Sequence, residues 1–299
     1  MKNLDDITAV VVTYKTSEKI IFDCLKSLDP KVKIIIIENS SNFIHKKNVL
    51  SNFPNTKIVC TGDNLGYGKG NNFGLKLVKT NFALILNPDV VCADDFFSNL
   101  SELIIKVEDF SIIGCQYLYD NIFMPAGFFN KKKNNQFVKD FRNNNIKSLT
   151  KVEWVTGCSM LLNLKKFNTK NIFDQNFFLY FEEFDLCKSI IKANKNIYTS
   201  NKLRIHHLGF KSSVGENEIE NLNAINVKDW HYMWSSFYFY KKNHGYMFAL
   251  IKLSGKFLRA LCKMIFYSIT FQKNLKNKYL HRFLGLLNSM MGRPSDFRG

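Results

Sequence analysis

The chain has no C-x-x-C pair, no uninterrupted apolar run of the ~18 residues needed to cross a bilayer, and little negative charge for its size. Its seven cysteines, Cys24, Cys60, Cys92, Cys115, Cys158, Cys187 and Cys262, are scattered and odd in number, which argues against a zinc site and for free thiols in a reducing compartment. The first apolar run, residues 7–12, is too short for a signal-peptide core and follows Asp5 and Asp6. A cytoplasmic protein is expected, with contact at a membrane surface left open. Asp and Glu number 25 against 42 Lys and Arg, a net +17, so phosphates, nucleic acid and anionic lipid are all candidate partners. A hydrophobic content of 46% excludes a disordered chain.

The first 115 residues alternate short β-branched runs with helical patterns. Residues 7–12, 33–37, 57–60, 82–86 and 111–115 predict strands; residues 17–28, 43–52, 69–78 and 95–106 predict the helices between them. Near-continuous apolar strands in β-α alternation predict an α/β fold whose mostly parallel central sheet is flanked by helices and binds ligands beyond the carboxyl ends of its strands. Residues 120–150 break this rhythm. Lys131-Lys132-Lys133-Asn134-Asn135 and Arg142-Asn143-Asn144-Asn145 predict a basic loop, either a flap over the site or a solvated insertion. From Trp154 the pattern tightens again: a Gly157-Cys158-Ser159 turn, an apolar run at 160–162, the aromatic run Phe177-Phe178-Leu179-Tyr180-Phe181, a helix at 184–193 and a short strand at 203–205.

Composition changes after Asp229. From Trp230 onward twelve Lys and Arg face one acid, Asp296, so residues 1–229 are expected to form one domain, with halves 1–115 and 116–229, and residues 230–299 a helical, basic extension. Within it Lys252, Lys256, Arg259 and Lys263 recur at steps of 4, 3 and 4, which places them on one helix face with Phe248, Leu250, Ile251, Phe257, Leu258, Leu261 and Ile265 largely elsewhere. Such a helix suits an anionic membrane surface. Packing against the rest of the chain with the charged stripe in water is the bland reading.

Four segments have the residue types that chemistry needs. Asn87-Pro88-Asp89 follows the strand 82–86 directly, where a carboxylate would hold a divalent cation together with a diphosphate; the same tripeptide also makes an ordinary turn. Asn64 to Asn72 sets Gly66, Gly68 and Gly70 around Lys69 between a strand and a helix, which lets backbone approach a ligand, although it is neither a dinucleotide fingerprint nor a P-loop. Glu182-Glu183-Phe184-Asp185 opens a helix after an aromatic wall, the setting that raises a carboxyl pKa, and acids also favour a first helical turn on dipole grounds. His206-His207 follows the strand 203–205, in an expected loop, and neutral imidazole ligates divalent ions.

Taken in order, these segments resemble the family 2 glycosyltransferases, and within them a rhamnosyltransferase-like branch. The likeness rests on Val10-Val11-Val12-Thr13-Tyr14, Ile36-Ile37-Glu38-Asn39-Ser40-Ser41, Asn64 to Gly74, Asn87-Pro88-Asp89, Gly157-Cys158-Ser159-Met160-Leu161, Phe177 to Cys187, and His207-Leu208-Gly209 with Lys211-Ser212-Ser213. It implies a GT-A fold and an inverting, metal-dependent transfer of a sugar, L-rhamnose among the candidates, from a nucleoside-diphosphate donor such as dTDP-L-rhamnose. The acceptor it implies is a saccharide, lipid-linked, in synthesis of cell-surface polysaccharide of the O-antigen type, and the place is the inner face of the cell membrane.

By the same resemblance Thr13, Tyr14, Glu38 and Asn39 hold the nucleoside, and Asn64, Gly66, Lys69, Gly70, Asn71 and Asn87 line the donor. Asp89 holds Mg²⁺ or Mn²⁺ with His207 or, as second choice, His206. Glu183 is the catalytic base, with Glu182 beside it and Asp185 in reserve, and Trp154 and Gly157 lie near the acceptor. The chain departs from the family pattern with Glu at positions 38 and 183, where Asp is usual, and Asn at 87. A non-catalytic homologue binding nucleotide sugar or membrane is therefore the competing reading. A nucleic-acid binder fits less well, because the charge is concentrated in one apolar tail rather than interleaved with stacking aromatics along a groove. A homo-oligomer is left open.

Overall fold

The computed structural model describes residues 4–107, 109–119, 122–123, 126–143, 147–207 and 218–298. They divide into two compact units, one within Met1–Leu65, Lys69–Phe173 and Glu183–Ser213, the other within Gly66–Gly68, Asp174–Glu182 and Val214–Gly299.

The first unit alternates β1 (Ile7–Thr13), α1 (Glu18–Lys26), β2 (Lys33–Glu38), α2 (Lys46–Asn52), β3 (Thr56–Cys60), α3 (Gly66–Leu77, its first turn belonging to the second unit), β4 (Phe82–Leu86), β5 (Val90–Cys92) and α4 (Phe96–Lys106). It continues with β6 (Ile112–Tyr119), β7 (Ile122–Phe123), β8 (Ala126–Gly127), α5 (Lys131–Arg142), β9 (Leu149–Val152), β10 (Trp154–Val155), β11 (Ser159–Asn163), α6 (Glu182–Lys192) and β12 (Ile197–His207). The main sheet runs β3-β2-β1-β4-β11-β6-β12-β5, with β7 beside β6 and β9 beside β12. Its first four strands are mutually parallel, and β11 reverses direction between β4 and β6.

Strands β1, β2 and β4 are buried on both faces, whereas β3 is the half-exposed edge. Ile7, Ala9 and Val11 of β1 join Ile34 and Ile36 of β2 in the main core. Their alternates Val10, Val12 and Ile37 meet α3, which approaches closely because it presents glycine there. A Cβ on Gly70 would stand 2.8 Å from Val12 Cγ1, and one on Gly74 2.5 Å from Val10 Cγ1.

The stretch 120–150 is not the loop that its composition predicts. Its described part holds α5, whose first turn is capped by the Asn130 side chain accepting from the Lys133 N–H at 3.1 Å. Phe137 and Phe141, four residues apart, bury one face of this polar helix, and Phe137 packs 5.5 Å from Phe128.

The second unit is built on α7 (Glu218–His244), α8 (Tyr246–Ile269) and α9 (Lys273–Met290). Position 229, where the composition changes, lies inside α7. Gly245, at φ 91°, ends α7 in a backbone conformation that side chains resist. Met233, Phe237, Ala249, Leu253 and Leu286 form the core of the three helices, and Arg282 Nε donates to Asp229 Oδ1 at 2.6 Å. Among the described residues no helix is long and apolar enough to cross a membrane.

Candidate active site

Parallel pairing puts Thr13 and Glu38 side by side at the carboxyl ends of β1 and β2. Glu38 is buried, and Thr13 Oγ1 donates to its Oε2 at 2.6 Å while the Lys15 N–H donates to Oε1 at 3.1 Å. Lys15 adopts φ 50°, the turn that aims its N–H back at the strand end. The Asn39 N–H donates to Thr13 O at 2.8 Å, and Tyr14 is half-buried next to them. Lys15 gave no signal in the sequence because it acts through its backbone.

Gly70 and Asn71 follow on α3. Gly70 serves helix packing against Val12 and Asn39, so its missing side chain is explained without a ligand. Asn71 is buried, and Asn64 and Lys69 are half-buried. Gly66, in the second unit, has φ 78°, and a Cβ there would run into Phe178, whose carbonyl accepts from the Tyr67 N–H at 3.0 Å.

The Asn87-Pro88-Asp89 turn is pinned from two sides. The Asn87 N–H donates to Cys158 O at 2.9 Å and the Val90 N–H to Asn87 O at 3.2 Å. This holds Asp89 only 1% exposed, with both carboxylate oxygens accepting no hydrogen bond among the described residues. Antiparallel pairing of β5 with β12 matches Val90 to His207, and His207 Nε2 stands 3.3 Å from Asp89 Oδ1. The expected loop at the two histidines is corrected: β12 runs through both, so alternation sends His206 to the opposite, exposed face. The following Leu208, Gly209, Lys211, Ser212 and Ser213 lie outside the described residues.

Glu183 stands in the first turn of α6. Burial pushes its carboxyl up to about 7, although hydrogen bonds from the Glu183 and Phe184 N–H groups pull the other way. Glu182 and Asp185, three residues apart, share another face and are both buried, whereas Glu183 stays partly open to the surface. The Cys158 thiol is pushed up to about 12 by burial first, and further by the negative charges of Asp89 and Glu183, against a lowering hydrogen bond with Thr156. Cys158 thus senses both carboxylates. Burial and then Asp89 likewise push the Cys24 thiol up to about 12. Buried thiols of this kind are inert neighbours, not nucleophiles.

Trp154, on β10, is half-buried with its ring 5.3 Å from that of Phe184, the residue after Glu183. Gly157 is half-buried in the turn before β11. In the sequence Phe184 looks like one more apolar residue of an amphipathic helix.

Among the described residues no three His, Cys, Asp or Glu side chains group as metal ligands, so Asp89 and His207 are a pair. Such a pair suits a hard cation whose remaining positions are filled by diphosphate oxygens and water.

Comparison with known proteins gives the same frame. The model of "Glycosyl transferase family 2" matches residues 8–185. Rhamnosyltransferase WbbL of Escherichia coli (strain K12) is 25% identical over 204 residues, covering 60% of this chain and 74% of that protein. The low-salt glycan biosynthesis hexosyltransferase Agl10 of Haloferax volcanii is 24% identical over 204 residues, covering 65% of this chain and 64% of that one. Among solved structures, GalNAc-T7 with UDP, GalNAc and Mn²⁺ superposes with TM-score 0.55 at 12% identity, over 85% of this chain and 57% of its own. A mannosyltransferase of Pyrobaculum calidifontis in complex with GDP-Man and Mn²⁺ superposes with TM-score 0.52 at 10% identity, over 96% of this chain and 87% of its own. This chain spans less than two thirds of the Haloferax relative and of GalNAc-T7. A family match over more than half its length, on a mixed α/β sheet of GT-A type, shows that the chain belongs to glycosyl transferase family 2.

Proposed function

We propose that this glycosyltransferase moves a sugar from a nucleoside diphosphate to a saccharide hydroxyl with inversion, using Glu183 as the base. The observation that carries the reading is the buried Asp89 carboxylate, held by the turn after β4 with His207 Nε2 3.3 Å from its Oδ1. Glu183 takes the proton of the acceptor hydroxyl. That oxygen bonds to the anomeric carbon as the bond from that carbon to the diphosphate oxygen breaks on the opposite side. General-base assistance of this kind contributes on the order of 10²–10⁴-fold.

Asp89 and His207 would hold Mg²⁺ or Mn²⁺. A buried carboxylate that accepts no hydrogen bond among the described residues fits a cation, and when bound the ion supplies positive charge to the departing diphosphate. Glu38, already fixed by Thr13 and Lys15, faces the nucleoside, and the Trp154 ring offers an aromatic face to the C–H side of an acceptor sugar. The donor is proposed as dTDP-L-rhamnose on the likeness to the Escherichia coli rhamnosyltransferase. The acceptor is proposed as a lipid-linked saccharide reached at an anionic membrane surface, because the C-terminal residues are so strongly basic.

A thermal-shift screen against nucleoside diphosphates and nucleotide sugars, with and without Mn²⁺ or Mg²⁺, tests the site. Metal-dependent stabilisation by one nucleotide, lost in Asp89→Ala, is the expected result. No response to any nucleotide under either metal would overturn it in favour of a non-catalytic, membrane-binding homologue.

A further inference from the structure

Ten of the seventeen large apolar side chains exposed among the described residues fall between Tyr246 and Leu275. They are not scattered. Met247, Ile251, Leu258, Cys262, Ile265 and Ile269 follow at steps of 4, 7, 4, 3 and 4, one straight stripe along α8, roughly 33 Å long at 1.5 Å per residue. Ile251 is 72% exposed, Ile269 70% and Met247 64%, and Phe271, just beyond the helix, is 92% exposed. Phe271 also has φ 55°, so an aromatic residue adopts a disfavoured backbone conformation and gains no packing in return.

The sequence placed a basic face against an apolar remainder, whereas the structure divides α8 into distinct faces. Ala249, Leu253 and Ala260 are buried in the helical core. Leu250 and Phe257, which the periodicity groups with Ile251 and Leu258, pack inward instead, Phe257 lying 4.9 Å from Phe283. Lys252, Lys256, Arg259 and Lys263 border one side of the exposed stripe; Lys256 Nζ sits 5.3 Å from the Tyr232 ring and Lys263 Nζ donates to Tyr279 Oη at 3.1 Å. Lys273 and Lys276 are exposed on α9 just beyond Phe271.

We infer that α8 lies flat in the headgroup region of an anionic bilayer, with Met247, Ile251, Leu258, Ile265 and Ile269 dipping toward the acyl chains, Phe271 wedged at one end, and Lys252, Lys256 and Arg259 on the phosphates. A helix that is apolar on one exposed face, basic beside it and too polar overall to span is built for this position. Charge decides the occupant. Residues 246–275 contain no acid, so a second copy meeting this stripe with its own α8 would bring no countercharge to the basic rim, whereas anionic headgroups supply it along the whole length. The inference deepens the membrane-surface part of the proposed function, and it is tested without donor or acceptor, so its failure is distinct from failure of the transferase reading.

The test is partition of the full-length chain into phosphatidylcholine vesicles containing about one third phosphatidylglycerol, followed by sedimentation. The triple variant Ile251→Ser, Leu258→Ser, Ile265→Ser is expected to lose tenfold or more in partition while its thermal midpoint and nucleotide-induced shift stay as in the parent. Lys252→Glu with Arg259→Glu is expected to lose tenfold or more at low salt and less at high salt. Unchanged partition of the triple variant would overturn the inference. So would equal partition into pure phosphatidylcholine vesicles, or a salt-stable dimer of the parent that the triple variant abolishes, which would give the stripe to a second copy.

Discussion

In the sheet unit, polar groups are held out of water: Thr13, Glu38 and Asp89 are each no more than 2% exposed among strands that are otherwise apolar. In the helical unit the mismatch is reversed, with apolar side chains along α8 held in water. A stable fold asks for neither. Folding favours apolar burial and polar exposure, so a residue whose environment contradicts its type marks a place where something outside the chain completes the arrangement. On the proposed function a cation and a nucleotide complete the sheet unit, and a lipid surface completes the helical unit.

The comparison breaks first at Glu183. Glu183→Gln is expected to lower kcat by about 10²–10⁴-fold while leaving nucleotide-induced stabilisation intact, and the parent rate should rise as pH passes through the carboxyl's value of about 7. Stability should run the other way. A carboxyl raised in the folded state favours folding below its unfolded value and loses that contribution as pH rises toward 7, so the Gln variant should be more stable than the parent at pH 8, on the order of 1–3 kcal/mol. Urea unfolding of both proteins at pH 5 and 8 checks this, and a parent more stable at pH 8 than the variant would contradict it.

Within α8 two neighbouring residues sharpen the contrast. Leu253, 1% exposed, should cost about 2–5 kcal/mol when cut to Ala. Ile251, two positions earlier, should change stability by no more than about 0.5 kcal/mol when replaced by Ser. Thermal unfolding of both variants measures the pair, and a large loss at Ile251 would mean that the stripe already has a partner within the fold.

Much of this was legible beforehand. The strand 82–86 was read from its β-branched and apolar run with the bounds that β4 has, and the position of Asp89 at its carboxyl end followed, because a period of two and a turn tripeptide are local signals. The Lys131–Arg142 helix is not legible in the sequence: lysine and asparagine speak for a loop, and Phe137 and Phe141, with the cap at Asn130, form its buried face. That Gly70 lies against Val12 and the Asn39 side chain is a contact the local sequence does not show.

The sequence by itself determined most strands and helices of the first 115 residues, and that carboxylates end a strand and open a helix. Local periodicity and turn chemistry act over a few residues, and they are written there in full. Only the tertiary structure decided that His207 rather than His206 meets Asp89, since this depends on the register of β5 against a strand more than a hundred residues away. It alone also decided which side of α8 faces α7 and α9 and which faces water, because an apolar residue carries no mark of whether it will be covered by its own chain or by something else.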